Sequence, residues 1–178
     1  GRVDVAVHSL KDLPVVLPEG LVLGAIPRRA SPMDVLVHRQ GVSLRLLPPG
    51  TRLATSSPRR VLSMRVSYPH LAFVEIRGNV APRLRKLAAG EVDGLVMAHA
   101  GLLRTGLAEG RPVEPIPLLT LVPAPGQGAL ALEARAGDAA TRARLAPLHD
   151  PDAEAETGAE RELLDRAPVD SVIERTRK

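Results

Sequence analysis

Val3-Asp4-Val5-Ala6-Val7-His8-Ser9-Leu10-Lys11-Asp12-Leu13-Pro14 opens on an alternation and closes on a polar turn. Val3, Val5 and Val7 alternate with Asp4 and Ala6, the period of two that side chains follow along a strand. His8, Ser9, Lys11 and Asp12 therefore fall just past the carboxyl end of that strand. Open α/β sheets bind their ligands there. A cation beside a carboxylate in such a place can hold an anionic ligand and still face positive charge that forms in a reaction. The same residues also suit a purely structural role, with Ser9-x-x-Asp12 capping a helix. Pro14 limits any such helix to a short turn, because it removes a backbone donor.

Moving outward, Leu21–Ile26 reads as a short buried strand, and Pro27–Pro32 as a polar, proline-flanked crossover between domains. Asp34–His38 is a further strand, and Pro48-Pro49-Gly50 turns the chain into Arg52–Thr55. Ser56 and Ser57 are good N-caps, and Pro58 fits the first helical position, where its missing donor costs nothing. The predicted helix carries Val61, Leu62 and Val66 inward. Its open amino end offers unpaired N–H groups and a positive partial charge to a carboxylate or phosphate. Arg59 and Arg60 add full charges, although a capped helix with two solvated arginines would look the same.

Leu71–Ile76 reads as a strand, followed by an Arg77-Gly78-Asn79 turn. Val80, Leu84, Leu87 and Ala88 have helical spacing, and Gly90 closes that helix. Arg83 falls in its first turn, at the same end as Arg77, so both can face one cleft. Leu95–Ala98 is the next strand and Gly101–Leu107 a short helix. This β-α-β-α-β order predicts a mostly parallel sheet. Pro112–Pro117 reads as a loop and Leu118–Val122 as extended.

Gly126-Gln127-Gly128-Ala129-Leu130-Ala131 matches the spacing of a dinucleotide fingerprint. The fingerprint needs a helix after its glycines, yet Leu130, Leu132 and Ala134 alternate like a strand. Ala139–Leu148 reads as helix, so no second strand supplies the acidic partner. The glycines instead suit a tight return between domains. From Asp152 the chain is acidic and helical, with Thr157-x-x-Glu160 as a capping box, and the tail from Ala167 to Lys178 lacks apolar periodicity.

Bulk composition narrows the function. The formal net charge of +4 favours anionic partners, but one Phe and one Tyr offer no stacking platform for single-stranded nucleic acid. No cysteine is present, which excludes thiolate chemistry and disulfides. His8, His38, His70, His99 and His149 lack ligand spacing, so no metal site is expected. No apolar run approaches the roughly 18 residues of a membrane span. With no signal-peptide pattern at Gly1, the expectation is a soluble, cytoplasmic monomer and a fragment of a longer protein.

Four blocks carry a resemblance. Val7–Pro14 resembles the H-S-x-K-D-x-P segment of the porphobilinogen deaminase (hydroxymethylbilane synthase) family. Thr55-Ser56-Ser57-Pro58-Arg59-Arg60, Arg77-Gly78-Asn79 followed by Arg83, and Pro125-Gly126-Gln127-Gly128-Ala129 agree with it in order and spacing. The family joins four porphobilinogen units head to tail, releasing ammonia each time. The resemblance implies an α/β fold of two domains like type II periplasmic binding proteins, with mostly parallel sheets, a cleft between them, and a third α+β domain. Domain one would comprise 1–27 and 128–146, domain two 33–121, and residues 150–178 the truncated start of domain three.

By that resemblance Asp12 is the catalytic carboxylate, stabilising the cation left on a pyrrole when ammonia departs. Arg59, Arg60, Arg77 and Arg83 would bind the acetates and propionates, assisted by Ser9, Lys11, Thr55, Ser56 and Ser57, with Gly78, Asn79 and Gln127 completing the binding set. The family cofactor is a dipyrromethane primer held by thioether to a cysteine in a Gly-Gly-Cys loop. Ala167-Pro168-Val169-Asp170-Ser171 stands there instead, and the family's amino-terminal segment is expected to be missing from this fragment. This fragment alone is therefore expected to be inactive. The alternative is an anion-binding module of the periplasmic type without catalysis.

Overall fold

The computed structural model describes residues 3–107 and 109–166. In chain order its elements are β1 (Val5–Ser9), β2 (Leu21–Ala25), β3 (Asp34–His38), β4 (Arg52–Ala54), α1 (Pro58–Ser67), β5 (Ala72–Val74), α2 (Val80–Ala88), β6 (Gly94–Ala98), α3 (His99–Thr105), β7 (Val113–Pro115), β8 (Leu130–Arg135), α4 (Ala139–Leu145) and α5 (Pro151–Arg166). They divide into two compact units, Gly1–Ala30 with Ala124–Lys178, and Ser31–Pro123. The replacement of the cofactor cysteine at Ala167–Ser171 lies outside the described residues.

In the first unit β8 lies between β1 and β2 and is antiparallel to both. Alternation along β8 divides its side chains between two small cores. Ala131 joins Leu10, Ile26, Ala129 and Ala153 on one side. Leu132 and Ala134 join Ala25 and Leu145 on the other. Asp150 caps α5, its Oδ1 accepting from Ala153 N at 2.9 Å. The expected capping box at Thr157 is corrected by this. Thr157 is buried inside the helix, its hydroxyl donating to Ala153 O at 2.6 Å, so it cannot serve as a cap.

In the second unit the strand order is β5-β4-β6-β3-β7. β4 runs parallel to β5 and β6, as expected where a helix carries the chain from one strand to the next. β3 is antiparallel to both β6 and β7. The α/β class stands, but the expectation of mostly parallel sheets is corrected to mixed pairing in this unit and antiparallel pairing in the first. Every residue of β3 is buried. Val35 and Val37 pack with Leu84, Leu87 and Leu102 on one face, and Leu36 with Leu53, Met64 and Ile116 on the other.

Three further expectations change. Val113–Pro115 is a strand, not loop, and Leu118–Val122 contains a turn in which Thr120 N and Leu121 N donate to Pro117 O at 2.9 and 3.0 Å. In α1 the inward stripe is Arg60 and Met64, while Leu62 is 45% and Val66 85% exposed. One polar contact sets that rotation, as the site geometry shows.

Candidate anion-binding and catalytic site

The second unit assembles most of the predicted anion-binding residues around the amino end of α1. Ser57 is the N-cap, its side chain accepting from Arg60 N, and Pro58 occupies the first turn. Thr55, buried at the end of β4, holds the approach by accepting from Ser57 N at 3.3 Å. No acidic residue lies in the first turn of α1 itself.

Arg59 and Arg60 both turn to one buried carboxylate. Asp34 Oδ2 accepts from Arg59 Nη2 at 2.8 Å, and Asp34 Oδ1 from Arg60 Nε at 2.9 Å, with Arg60 Nη2 2.7 Å away. Arg60 Nη1 also donates to Val96 O on β6, and Arg59 Nη1 to Val122 O. Arg60 is therefore drawn into the interior, which fixes the inward face of α1. Burial lowers the pKa of its guanidinium, Asp34 pulls the other way, and Arg59 and Arg83 reinforce the lowering. Three guanidinium groups thus share one local field.

Arg83 completes the cluster. Its Nε donates to Gly78 O at 2.7 Å and its Nη2 to Ser56 Oγ at 3.2 Å. Partial burial lowers the pKa of this group as well. Arg77 does not join. It is paired with Glu75 at 2.8 Å, its side chain 86% exposed. Asn79 caps α2 without a side-chain bond and is exposed. Three arginines against one aspartate leave a net positive, serine-lined set suited to carboxylates, which guanidinium groups bind in a two-pronged geometry.

The first unit carries the other predicted residues. Leu10–Asp12 is a single 3₁₀ turn following β1, with Ser9 at its amino end making no side-chain cap. Leu13 N closes the turn on Leu10 O at 3.1 Å. Asp12 is exposed, whereas Lys11 Nζ donates to Oε1 of the fully buried Gln127 at 3.4 Å. Gly126 has φ +73, and a Cβ there would stand 3.0 Å from Leu10 Cγ and 3.3 Å from Lys11 N. The glycine is what allows the return loop to lie against the Lys11 backbone.

Three residues that sequence reasoning missed hold this arrangement. Arg161 on α5 donates to the carbonyl oxygens of Leu10, Leu13, Pro14 and Val15, at 3.3, 3.3, 2.5 and 3.2 Å. Glu160 accepts from Gly126 N at 2.8 Å and from Arg29 Nη2 at 2.9 Å. Arg29 Nε donates in turn to Gln127 O at 3.0 Å. Burial lowers the pKa of the Arg29 guanidinium, and its bonds to Glu160 and Glu156 more than offset that. In the second unit the missed residue is Asp34, whose signal was a lone aspartate opening an otherwise apolar strand. Among the described residues no cluster of His, Cys, Asp or Glu could hold a metal ion.

The geometry defines a class: an α/β protein, its first unit discontinuous in sequence, with a serine- and arginine-lined set suited to carboxylates. Residues 1–143 match the family model described as porphobilinogen deaminase, dipyromethane cofactor binding domain. The chain belongs to the porphobilinogen deaminase family. It is 50% identical over 168 residues to the porphobilinogen deaminase of Roseiflexus castenholzii, covering 93% of this chain and 54% of that protein. The porphobilinogen deaminase of Syntrophobacter fumaroxidans is 47% identical over 162 residues, covering 91% and 52%. The chain thus spans about half the length of the curated relatives it matches. Among solved structures, a TRAP periplasmic solute binding protein from Desulfovibrio salexigens aligns with a TM-score of 0.46 at 15% identity, covering 93% of this chain and 60% of that one. The periplasmic VFT2 domain of BvgS from Bordetella pertussis gives 0.45 at 16%, covering 79% and 60%.

The dipyrromethane cofactor of this family carries acetate and propionate groups, and the donor set at α1 fits them. Ser56, Ser57, Arg59 and Arg83 would hold those carboxylates. The covalent anchor is a different matter, since the 178 residues contain no cysteine.

Proposed function

We propose that this chain supplies the carboxylate-binding and catalytic residues of a hydroxymethylbilane synthase. That enzyme condenses four porphobilinogen units head to tail, with release of ammonia, in tetrapyrrole biosynthesis. The observation that carries this reading is the joining of Ser56, Arg59, Arg60 and Arg83 at one helix terminus, in a chain of this family. Each porphobilinogen brings one acetate and one propionate, which guanidinium and hydroxyl donors bind as charge-assisted hydrogen bonds. Bound dipyrromethane supplies the primer on which the chain of pyrroles grows. Thr55 and Ser57 shape the helix end, Lys11 and Ser9 add donors near Asp12, and Gly78, Asn79 and Gln127 support the loops. Arg77, paired here with Glu75, can bind a carboxylate only after leaving that exposed partner.

Asp12 acts differently. An anionic substrate gains nothing from meeting a carboxylate, so Asp12 contributes little to ground-state binding. Its value lies in stabilising positive charge on the pyrrole as ammonia leaves, the differential stabilisation that lowers a barrier. The turn that carries it is held from three sides: by Ala129 O, which accepts from Leu10 N at 3.0 Å, by the Gly126 loop, and by Arg161. In this reading residues 1–27 with 128–146 form domain one, 33–121 domain two, and 150–178 the start of domain three. The protein works as a cytoplasmic monomer on a small molecule, without nucleic acid or membrane.

Isothermal titration calorimetry of the chain with porphobilinogen tests the reading. Binding that weakens as salt rises, is reduced by Arg83→Ala and is unchanged by Asp12→Asn is expected. Absence of porphobilinogen binding, or tighter binding after Arg83→Ala, contradicts it.

A further inference from the structure

Asp34 is fully buried, opens the central strand β3, and receives both Arg59 and Arg60. Two arginines on one carboxylate is an expensive arrangement to bury, because each ion loses its hydration. An apolar residue would suit the position, since β3 is otherwise apolar apart from His38, and Val35, Leu36 and Val37 are each no more than 1% exposed. The arrangement also has a direction. Oδ1 binds Arg60, which continues inward to Val96 O on β6. Oδ2 binds Arg59, whose side chain remains 27% exposed and whose second amino group reaches Val122 O. Arg60 is thus a buried tie between strand and helix, and Arg59 is the member that still meets solvent, with each terminal amino group of its guanidinium held by an oxygen acceptor.

We infer that Asp34 is a positioning residue for the carboxylate-binding site: it fixes the Arg59 guanidinium at the amino end of α1 before any ligand arrives. The inference rests on the proposed function, in that Arg59 is taken to bind porphobilinogen carboxylates. Its physical basis is preorganisation. A long, rotamer-rich side chain that is already ordered loses less freedom when it binds. The same carboxylate also lowers the net charge of the site by one, so its electrostatic effect on an anionic ligand is unfavourable. The two consequences have opposite signs, which makes them separable.

The test compares two variants of the full chain, Arg60→Gln alone and Arg60→Gln with Asp34→Asn. Removing Arg60 first avoids leaving an unpaired buried cation, which would threaten folding. In the single variant Asp34 still holds Arg59. In the double variant Arg59 has lost its ion pair and keeps only the bond to Val122 O, and the site has gained one positive charge. Porphobilinogen is titrated into each by calorimetry, with circular dichroism establishing equal folding. Positioning predicts that the double variant binds about three- to tenfold more weakly, the effect of one unrestrained side chain. Equal or tighter binding by the double variant is what charge counting predicts, and either result overturns the inference. Should the double variant not fold, the Arg59 Nε–H resonance of the parental chain decides the matter. A slowly rotating, hydrogen-bonded guanidinium supports positioning, and a rapidly averaging one overturns it. The parental titration separates the two levels of the argument. Porphobilinogen binding by the parent with no loss from the single to the double variant refutes positioning alone, whereas no binding by the parent refutes the site and with it the inference.

Discussion

Gly126→Ala tests the packing that places the Lys11–Asp12 turn. Two costs are combined at this glycine. Its φ of +73 lies in the left-handed region, where a residue with a Cβ costs about 1–2 kcal/mol. The new Cβ would also stand 3.0 Å from Leu10 Cγ, 3.3 Å from Leu10 Cδ2 and 3.3 Å from Lys11 N. Leu10 is fully buried, so it cannot swing away without disturbing Ile26, Ala129 and Ala131 around it. Overpacking of this kind costs roughly 1–3 kcal/mol more, giving a total of about 2–5 kcal/mol. Gly20→Ala provides the control, because Gly20 has φ +82 and a Cβ added there would meet no atom within 4 Å. It should cost only the conformational share, about 1–2 kcal/mol. Urea unfolding of the two variants, followed by circular dichroism, measures the difference. If Gly126→Ala is no more destabilising than Gly20→Ala, the close approach of the return loop to Leu10 and Lys11 does not constrain the protein.

Other consequences are equally specific. Arg161→Ala removes donors from four carbonyl oxygens around the Asp12 turn, so exchange of the hydrogen-bonded amides of Leu10 and Leu13 should accelerate by tenfold or more, as expected when hydrogen bonds each worth about 1 kcal/mol are lost; unchanged exchange there contradicts the clamp. His38 is buried, with Nδ1 accepting from Val42 N at 3.1 Å, and burial lowers its pKa, with Asp93 opposing and Arg39 reinforcing the shift. The folded state therefore binds fewer protons than the unfolded chain, and this stability is complete above about pH 6.5 and declines as pH falls from there through the lowered folded-state value. The urea midpoint should drop on acidification across that range, and His38→Asn should flatten that part of the profile; a parental midpoint that rises on acidification there refutes the assignment. Finally, incubation with porphobilinogen should give no covalent pyrrole adduct by intact-mass measurement, because no thiol is present; a stable adduct of two pyrroles contradicts this.

Much of the fold was legible where local chemistry and burial agree. The alternation through Val5 and Val7 gives β1, and Ser57 followed by Pro58 marks the start of α1. The glycine loop before β8 was separable from a dinucleotide fingerprint because Leu130, Leu132 and Ala134 alternate as a strand. What sequence missed depends on distant partners. β7 contains Pro115 and follows Pro112, so it reads as loop, yet it is the edge strand beside β3, where a proline is tolerated. The apolar run Leu118–Val122 suggests a strand, but only Leu121 is buried, at 1% exposure. The inward face of α1 was misjudged because hydrophobicity favours Leu62 and Val66, whereas Asp34 draws Arg60 inside.

The site was legible to a similar degree and for similar reasons. Thr55, Ser56, Ser57, Arg59 and Arg60 are contiguous, so one local structure brings them together. Arg83 joins through the carbonyl of Gly78, five residues away. Asp34 shows only as a lone aspartate opening an apolar strand, and Arg161 carries no local signature of its role. The first is 25 residues from Arg59, and the second 151 residues from Leu10. Only the folded chain shows that a strand aspartate anchors the arginines, or that a helix arginine holds the Lys11–Asp12 turn.

The central claim is that the amino end of α1, with Arg83, binds the carboxylates of porphobilinogen. Titration of porphobilinogen into the ¹⁵N-labelled chain, followed by two-dimensional NMR, tests it most directly. The account predicts saturable shifts concentrated at the amides of Ser56, Ser57, Arg59 and Arg60 and at the Arg59 and Arg83 guanidinium resonances, abolished together by Arg59→Ala with Arg83→Ala. Shifts confined to other residues, or undiminished in that double variant, would contradict it.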